Sequence, residues 1–510
     1  MLSVSRLKPS IVFIVLILLA IITRLVAFDN PAIWVDERVS LLITHGLHYK
    51  ELQNLPNAFQ PNDLYDSYNM AGVLKATIED NGNSLLFNWL LYFQTKLFGI
   101  NEWSLRLPSV IFGILTIILG AKFANRLFGR DAALATILVL IISPMLLRYS
   151  QDARPYAMAM YFSLLATYAF WNLTFFQVSD KKKLIFYIVL YGLSVSVSLL
   201  SHYLSVYVFL AHVVIALIFV RKAQPWLHLV IAALIPMSLM GYWMMNGGIE
   251  GSKNMNAINE YYNNLLATDV NLAYENGVDA TTISSLIKCT FNYIALELGL
   301  KLQKLTQIRN FLWLALVPLT AIFYFYKTIN RVKQKQVLAF SILGVMPIVF
   351  SILLSVKNGH TISFNVPYCN FSVVPVGILV GGALAHFVKS ELPGWLKLLT
   401  IPYLLAMILS MYLVYIDYPD YRLPNKTREM VSKIETLPLT GKDTLILPSV
   451  PFAKVAGLYF SREAPLIIKV DSTLPRFKGV LKQGNNNTMP FSLSDLKLHP
   501  YNLDSKNLYK

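Results

Sequence analysis

Tyr149-Ser150-Gln151-Asp152-Ala153-Arg154-Pro155-Tyr156 interrupts two apolar runs, at 132–147 and 155–176. A second acidic stretch, Trp34-Val35-Asp36-Glu37-Arg38-Val39-Ser40, follows an apolar run at 11–28. About 20 apolar residues cross a bilayer as a helix, so both stretches read as polar segments at the mouths of spans. Pro155 suits a helix start, where a missing N–H costs nothing. That places Asp152 and Arg154 at the mouth of their span rather than inside it. Ionisable side chains at a membrane are costly to keep and point to binding or chemistry.

Composition agrees with a membrane chain. Of 510 residues, 55% are hydrophobic and 14% charged, with a mean hydropathy of +0.52; soluble domains carry about 25% charged residues. Further apolar runs predict spans near 108–124, 184–200, 203–220, 226–245, 308–326, 336–356, 369–388 and 398–416. The expected fold class is mainly α, a polytopic transmembrane bundle of about eleven spans. The first run, from Ile11, is expected to be retained, because no small-residue cleavage site follows it. The net charge of +16 argues orientation rather than nucleic-acid binding, because the basic residues cluster in short loops between spans.

Those loops set the topology. Arg6 and Lys8, Arg126 and Arg130, Lys181-Lys182-Lys183, Arg221-Lys222, Lys327 to Lys335, and Lys389 with Lys397 fall in one alternate set. That set is cytoplasmic by the positive-inside rule. The N-terminus is then inside and the C-terminus outside, in an inner (plasma) membrane. The opposite face holds loops 29–107 and 246–307, the Asp152 loop, the turn at Ser201-His202 and the tail. The expected division is a transmembrane domain over 1–416 and a small external α/β domain over 417–510. Thr444-Leu445-Ile446-Leu447-Pro448 reads as a strand and Asn485-Asn486-Asn487 as part of the polar end. Leu85 to Phe98 is apolar but too short to span, and predicts an interfacial helix. Cys289 and Cys369 fall at or near the external face, where a disulfide and two isolated thiols both remain open.

The acidic stretches suit proton transfer at a lipid-borne substrate. A carboxylate desolvated in a cavity at the bilayer edge accepts a proton from a hydroxyl. A second carboxylate orients the first, or helps Asp36, Glu37 and Asp152 hold a divalent metal through oxygen ligands. Arg38 and Arg154 each offer the planar fork that binds phosphate, and His202 is a further candidate for phosphate or metal. The bland alternative is helix capping and loop ion pairs. His212, deeper in its span, reads as structural. Tyr65, Tyr68, Tyr261 and Tyr262 are placed to stack on a sugar, although aromatic belts at membrane edges have the same composition.

The ordered set resembles the GT-C superfamily of membrane glycosyltransferases. It comprises Asp36-Glu37 after a first span, Phe98-Gly99-Ile100-Asn101-Glu102-Trp103-Ser104-Leu105-Arg106-Leu107-Pro108-Ser109, Arg126-Leu127-Phe128-Gly129-Arg130, Ser143-Pro144, and Tyr149 to Ala157. It is most similar to the bacterial branch related to protein O-mannosyltransferases and aminoarabinose transferases, over about 30–220. Two places depart from the family pattern. Asp80-Asn81-Gly82-Asn83-Ser84 stands where a His-Pro-Pro-like stretch is usual, and Pro367-Tyr368 where Arg-Tyr is usual, which leaves Lys357 and His360 as nearby candidates. The resemblance implies a polyprenyl-phosphate-linked sugar donor and an inverting attack by an acceptor hydroxyl, with Asp36, Glu37 and Asp152 as catalytic residues. It also implies Arg38, Arg154 and His202 at the donor phosphate. The acceptor is a lipid, a glycan or a protein. The rival is a polytopic transporter or flippase of envelope glycan precursors; such proteins carry internal repeats and polar residues at mid-membrane, and neither is evident.

Overall fold

The protein is described as a computed structural model over residues 9–26, 28, 33–48, 58–176, 178–275, 278–300, 314–364, 370–417, 426–474, 478–483 and 488–492. Arg6, Lys8, Pro367, Tyr368, Cys369, Asn485-Asn486-Asn487 and the first part of the 308–326 run lie outside the described residues. The chain forms two compact units. One comprises Met1–Val26, Ser109–Met244 and Tyr262–Ile416; the other comprises Ala27–Pro108, Met245–Tyr261 and Asp417–Lys510.

The first unit is helical. Among the described residues six helices are long and apolar enough to cross a membrane: Glu102–Phe128 (whose first turns, through Pro108, belong to the second unit), Lys181–Ser201, Ala223–Lys253 (whose end, from Met245, belongs to the second unit), Arg331–Asn358, Asn370–Lys389 and Gly394–Val414. A seventh is a pair, Arg130–Ile141 and Pro144–Ser150, bent by 64°. Helices lie within the expected apolar runs, although the run at 132–147 is broken into two and that at 308–326 is described only in its second part; by length and apolarity only six or seven of the described helices could cross a membrane. The reason is visible at Tyr156–Thr174, which is buried along nearly its whole length and carries Ser163, Thr167 and Asn172 inward. A helix surrounded by helices tolerates hydroxyls and amides that lipid would not. The outer helices show the opposite pattern. On Lys181–Ser201, Ile185, Val189 and Leu193 are exposed at four-residue spacing, a stripe that only hydrocarbon covers without cost.

Close helix approach relies on small residues. A Cβ on Gly381 would stand 2.6 Å from the Thr136 backbone, so Val373–Lys389 and Arg130–Ile141 meet nearly backbone to backbone, as small residues permit between membrane helices. The loop that carries Asp152 is tied down by buried polar groups. Arg24 donates to Leu140 O at 2.8 Å and Ile141 O at 2.9 Å, capping a helix C-terminus with a cation. Gln151 Nε2 donates in turn to Arg24 O at 3.0 Å and Val26 O at 3.1 Å.

The second unit contains the first loop and the tail. Leu85–Phe98 is the expected 14-residue helix. It buries Phe87, Leu91 and Tyr92 and leaves Phe93, Leu97 and Phe98 exposed, the two-sided apolar surface of an interfacial helix. The tail does not build its sheet alone. Strands β1 (Ala58–Phe59), β2 (Thr444–Leu447), β3 (Ile467–Val470), β4 (Lys478–Lys482) and β5 (Thr488–Ser492) lie in the order β1-β3-β2-β4-β5. The edge strand β1 comes from the first loop and pairs antiparallel with β3, Phe59 opposite Ile468. The β2–β3 pair is parallel and is joined through the helix Val450–Tyr459, the usual crossover for parallel strands.

Candidate active-site residues

In the second unit Asp36 and Glu37 occupy the first turn of Val35–Thr44, where the helix dipole favours acidic side chains. Neighbouring residues on a helix do not share a face, and these two differ sharply in environment. Glu37 is fully buried. Arg106 Nε donates to its Oε1 at 2.8 Å and Arg106 Nη2 to its Oε2 at 2.6 Å, while Arg106 Nη1 donates to Phe28 O at 2.8 Å. The Trp34 N–H also reaches Glu37 Oε2 at 3.3 Å, one arm of a capping box. Asp36 is half-buried. Arg38, next along, donates Nε to Ile33 O at 3.1 Å; burial lowers its pKa, opposed by Tyr459 and by Glu37.

The segment 80–84 precedes the interfacial helix with three left-handed residues, Asn81 (φ 70°), Gly82 (φ 67°) and Ser84 (φ 69°). Two of them are not glycine, a local strain that persists only where surroundings impose it. Gly82 lies so close to Gly251 that a Cβ on the latter would meet Gly82 N at 2.5 Å. Tyr65 and Tyr68 pack on His45, whose ring stacks on Tyr68 at 4.5 Å and meets Tyr65 edge-on at 5.9 Å.

In the first unit Asp152 is fully buried between Ser150 and the helix Tyr156–Thr174. Arg148 Nε stands 3.9 Å from Asp152 Oδ2. Arg154 places its guanidinium 5.8 Å from the Tyr156 ring centre, and its carbonyl accepts from Ser109 Oγ at 3.3 Å. Aromatic contacts continue from Tyr149 to Tyr156 at 4.9 Å, to His202 at 5.2 Å and to Phe371 at 5.4 Å. His202 is buried, and burial together with the Arg154 charge pushes its pKa down to about 3. Its Nδ1 accepts from the Leu204 N–H at 3.3 Å, so the neutral ring carries its proton on Nε2. His212 stays inside the bundle, bonded to Thr167 and Tyr191 and stacked on Phe170 at 4.6 Å. His360 is buried with its ring 5.7 Å from Tyr262.

Three residues escaped the sequence reading. Arg106 and Glu37 are 69 positions apart, and nothing local links them. Arg148 was missed although a local signal marks it, since it lies one helical turn before Asp152. Glu297 was not: it is buried, bonded to Ser372 Oγ, which also bonds Tyr293 Oη at 2.6 Å. Burial raises the Glu297 pKa to about 8. A folded-state pKa raised above the unfolded value favours folding at low pH, and that contribution fades as pH rises from the ordinary carboxylate range through about 8. Thermal stability in detergent is expected to fall as pH rises from about 5 to about 8, and Glu297→Gln to flatten that slope. An equal slope in the variant assigns the pH dependence to other groups.

Glu37 gives both oxygens to Arg106, and among the described residues no three His, Cys, Asp or Glu side chains are grouped to hold an ion.

Residues 83–243 match the family model of dolichyl-phosphate-mannose-protein mannosyltransferases. The solved structure of ArnT from Cupriavidus metallidurans in the apo state superposes with a TM-score of 0.55 at 17% identity, covering 89% of this chain and 85% of that one. The chain has the GT-C fold. The matched segment covers about a third of the chain, and the likeness to solved structures is one of fold. ArnT bound to undecaprenyl phosphate gives a TM-score of 0.53 at 15% identity, with coverage of 89% and 85%. An oligosaccharyltransferase from Archaeoglobus fulgidus, with zinc and sulfate, gives 0.49 at 13%, with 84% and 56% covered. No curated protein sequence matches the chain.

Proposed function

We propose that this protein moves a sugar from a polyprenyl-phosphate-linked donor to an acceptor hydroxyl at the external, periplasmic face of the inner membrane. The Lys/Arg bias supports this orientation, with the N-terminus cytoplasmic and the tail outside. One observation carries the reading: two adjacent carboxylates on one helix turn have opposite fates. Glu37 is committed to Arg106, whereas Asp36 is half-buried and lies about 100° further round the helix. Glu37 thus fixes the turn, and Asp36 is the base by its place in the acidic motif after the first span.

The acceptor O–H gives its proton to the Asp36 carboxylate as its oxygen bonds to the anomeric carbon. The bond from that carbon to the phosphate oxygen breaks with its electron pair, the configuration inverts, and polyprenyl phosphate leaves with the added negative charge. A guanidinium fork suits that charge, and Arg38, Arg154 and His202 are the candidates that the family resemblance names for it. Asp152 orients the Arg148–Arg154 segment. The acceptor is a lipid, a glycan or a protein hydroxyl of the cell envelope.

The test is turnover. Purified protein given a polyprenyl-phosphate sugar and an envelope extract is expected to release polyprenyl phosphate in an acceptor-dependent way. A transporter or flippase would instead relocate the donor intact, and that result would end the proposal. Arg154→Lys keeps the charge but loses the fork, so it is expected to raise the apparent donor KM several-fold in well-folded protein. If Arg154 only holds its loop against Tyr156, the variant yields less folded protein with an ordinary KM.

A further inference from the structure

We propose a second binding site in the helical unit, for the phosphate of an anionic phospholipid headgroup, at the Lys-rich end of its spans. It is independent of the transfer reaction. The helices Arg130–Ile141, Leu316–Thr328 and Val373–Lys389, with the start of Arg331–Asn358, surround a cavity of about 230 Å³. At about 30 Å³ per water it has room for roughly seven, enough for a phosphate and its glycerol.

The chemistry of the walls is divided. The inner side is apolar: Phe128 and Phe325 meet edge-to-face at 5.2 Å, and Gly382 opposes Phe128 so closely that a Cβ would stand 2.9 Å from the ring. The rim carries Lys333, His386 and Lys389 with Asp131. Lys389 pairs with Asp131, and His386 Nε2 shares a hydrogen bond with Thr328 Oγ1 at 2.7 Å. Lys333 is half-buried and has no acidic partner among the described residues. It stands in the first turn of the 28-residue Arg331–Asn358 helix, whose dipole adds positive potential there. The rim therefore sets two ammonium groups against one carboxylate.

Position chooses the ligand. Lys389 ends a 17-residue helix that begins beside Phe371 and His202. At 1.5 Å per residue the two ends are about 25 Å apart, close to the ~30 Å hydrocarbon thickness. The cavity thus lies at the membrane edge opposite His202. A cationic rim over a phenylalanine floor at that edge suits a lipid, with its phosphate on the lysines and its glycerol on the rings; basic pockets between spans on the Lys-rich side hold anionic headgroups. A free phosphate gains nothing from the rings.

The full-length protein in detergent is titrated with phosphatidylglycerol or phosphatidylcholine, and bound lipid is read by native mass spectrometry, with and without millimolar inorganic phosphate. Phosphatidylglycerol is expected to bind the wild type in preference to phosphatidylcholine and to resist phosphate. Lys333→Gln/Lys389→Gln should lower its occupancy about tenfold, whereas Lys335→Gln, on the exposed side of the same helix start, should not. If the double variant does not fold, the two single variants carry the same comparison. Equal occupancy in wild type and lysine variants overturns the site, and displacement by inorganic phosphate overturns the lipid assignment.

Discussion

Asp36→Asn is expected to lower sugar transfer by roughly 10²-fold or more, within the 10²–10⁴ that general-base catalysis commonly supplies. The substitution keeps shape and removes the proton acceptor. Asp36 is half-buried and asparagine has nearly its size and shape, so yield and thermal stability should change little. The measurement is initial rate of polyprenyl phosphate release per folded molecule, with donor binding followed separately. Near-normal turnover in a well-folded Asp36→Asn protein would move the base to another residue.

Arg106→Ala should be the most destabilising single change in the second unit. The Arg106 and Glu37 side chains are each 1% exposed and bonded through two contacts. Removing the arginine strands an ionised carboxylate in a dry site, a loss of about 3–5 kcal/mol for buried pairs. Thermal unfolding of the detergent-solubilised protein reads it directly. The companion double variant, Glu37→Leu with Arg106→Met, should recover much of the loss, because two apolar side chains leave no charge unpaired. Recovery of stability without full turnover would show that Glu37 serves by holding the turn that presents Asp36. A single variant as stable as the wild type would mean that the pair is solvated in the working protein.

The helices were legible because membrane insertion is decided locally. Whether 181–201 or 331–358 is helical depends on its own apolar length and on the absence of charge. The same holds for Leu85–Phe98, for the strand at Thr444–Leu447, and for the helix that starts after Asp152 and Pro155. Local rules also reach Arg148, one turn from Asp152. They do not reach the roles that depend on remote partners. Glu37 looks like a twin of Asp36 in the sequence and becomes a buried ion-pair partner only because Arg106 arrives beside it. Glu297 is an ordinary glutamate until Ser372 and Tyr293 close over it. The tail reads as a domain of its own until Ala58–Phe59 adds the edge of its sheet. The pattern of apolar runs by itself determined which segments are helices and where the acidic stretches fall along the chain. Tertiary structure alone decided which carboxylates lose water and what replaces it, because desolvation depends on atoms brought in from distant parts of the chain.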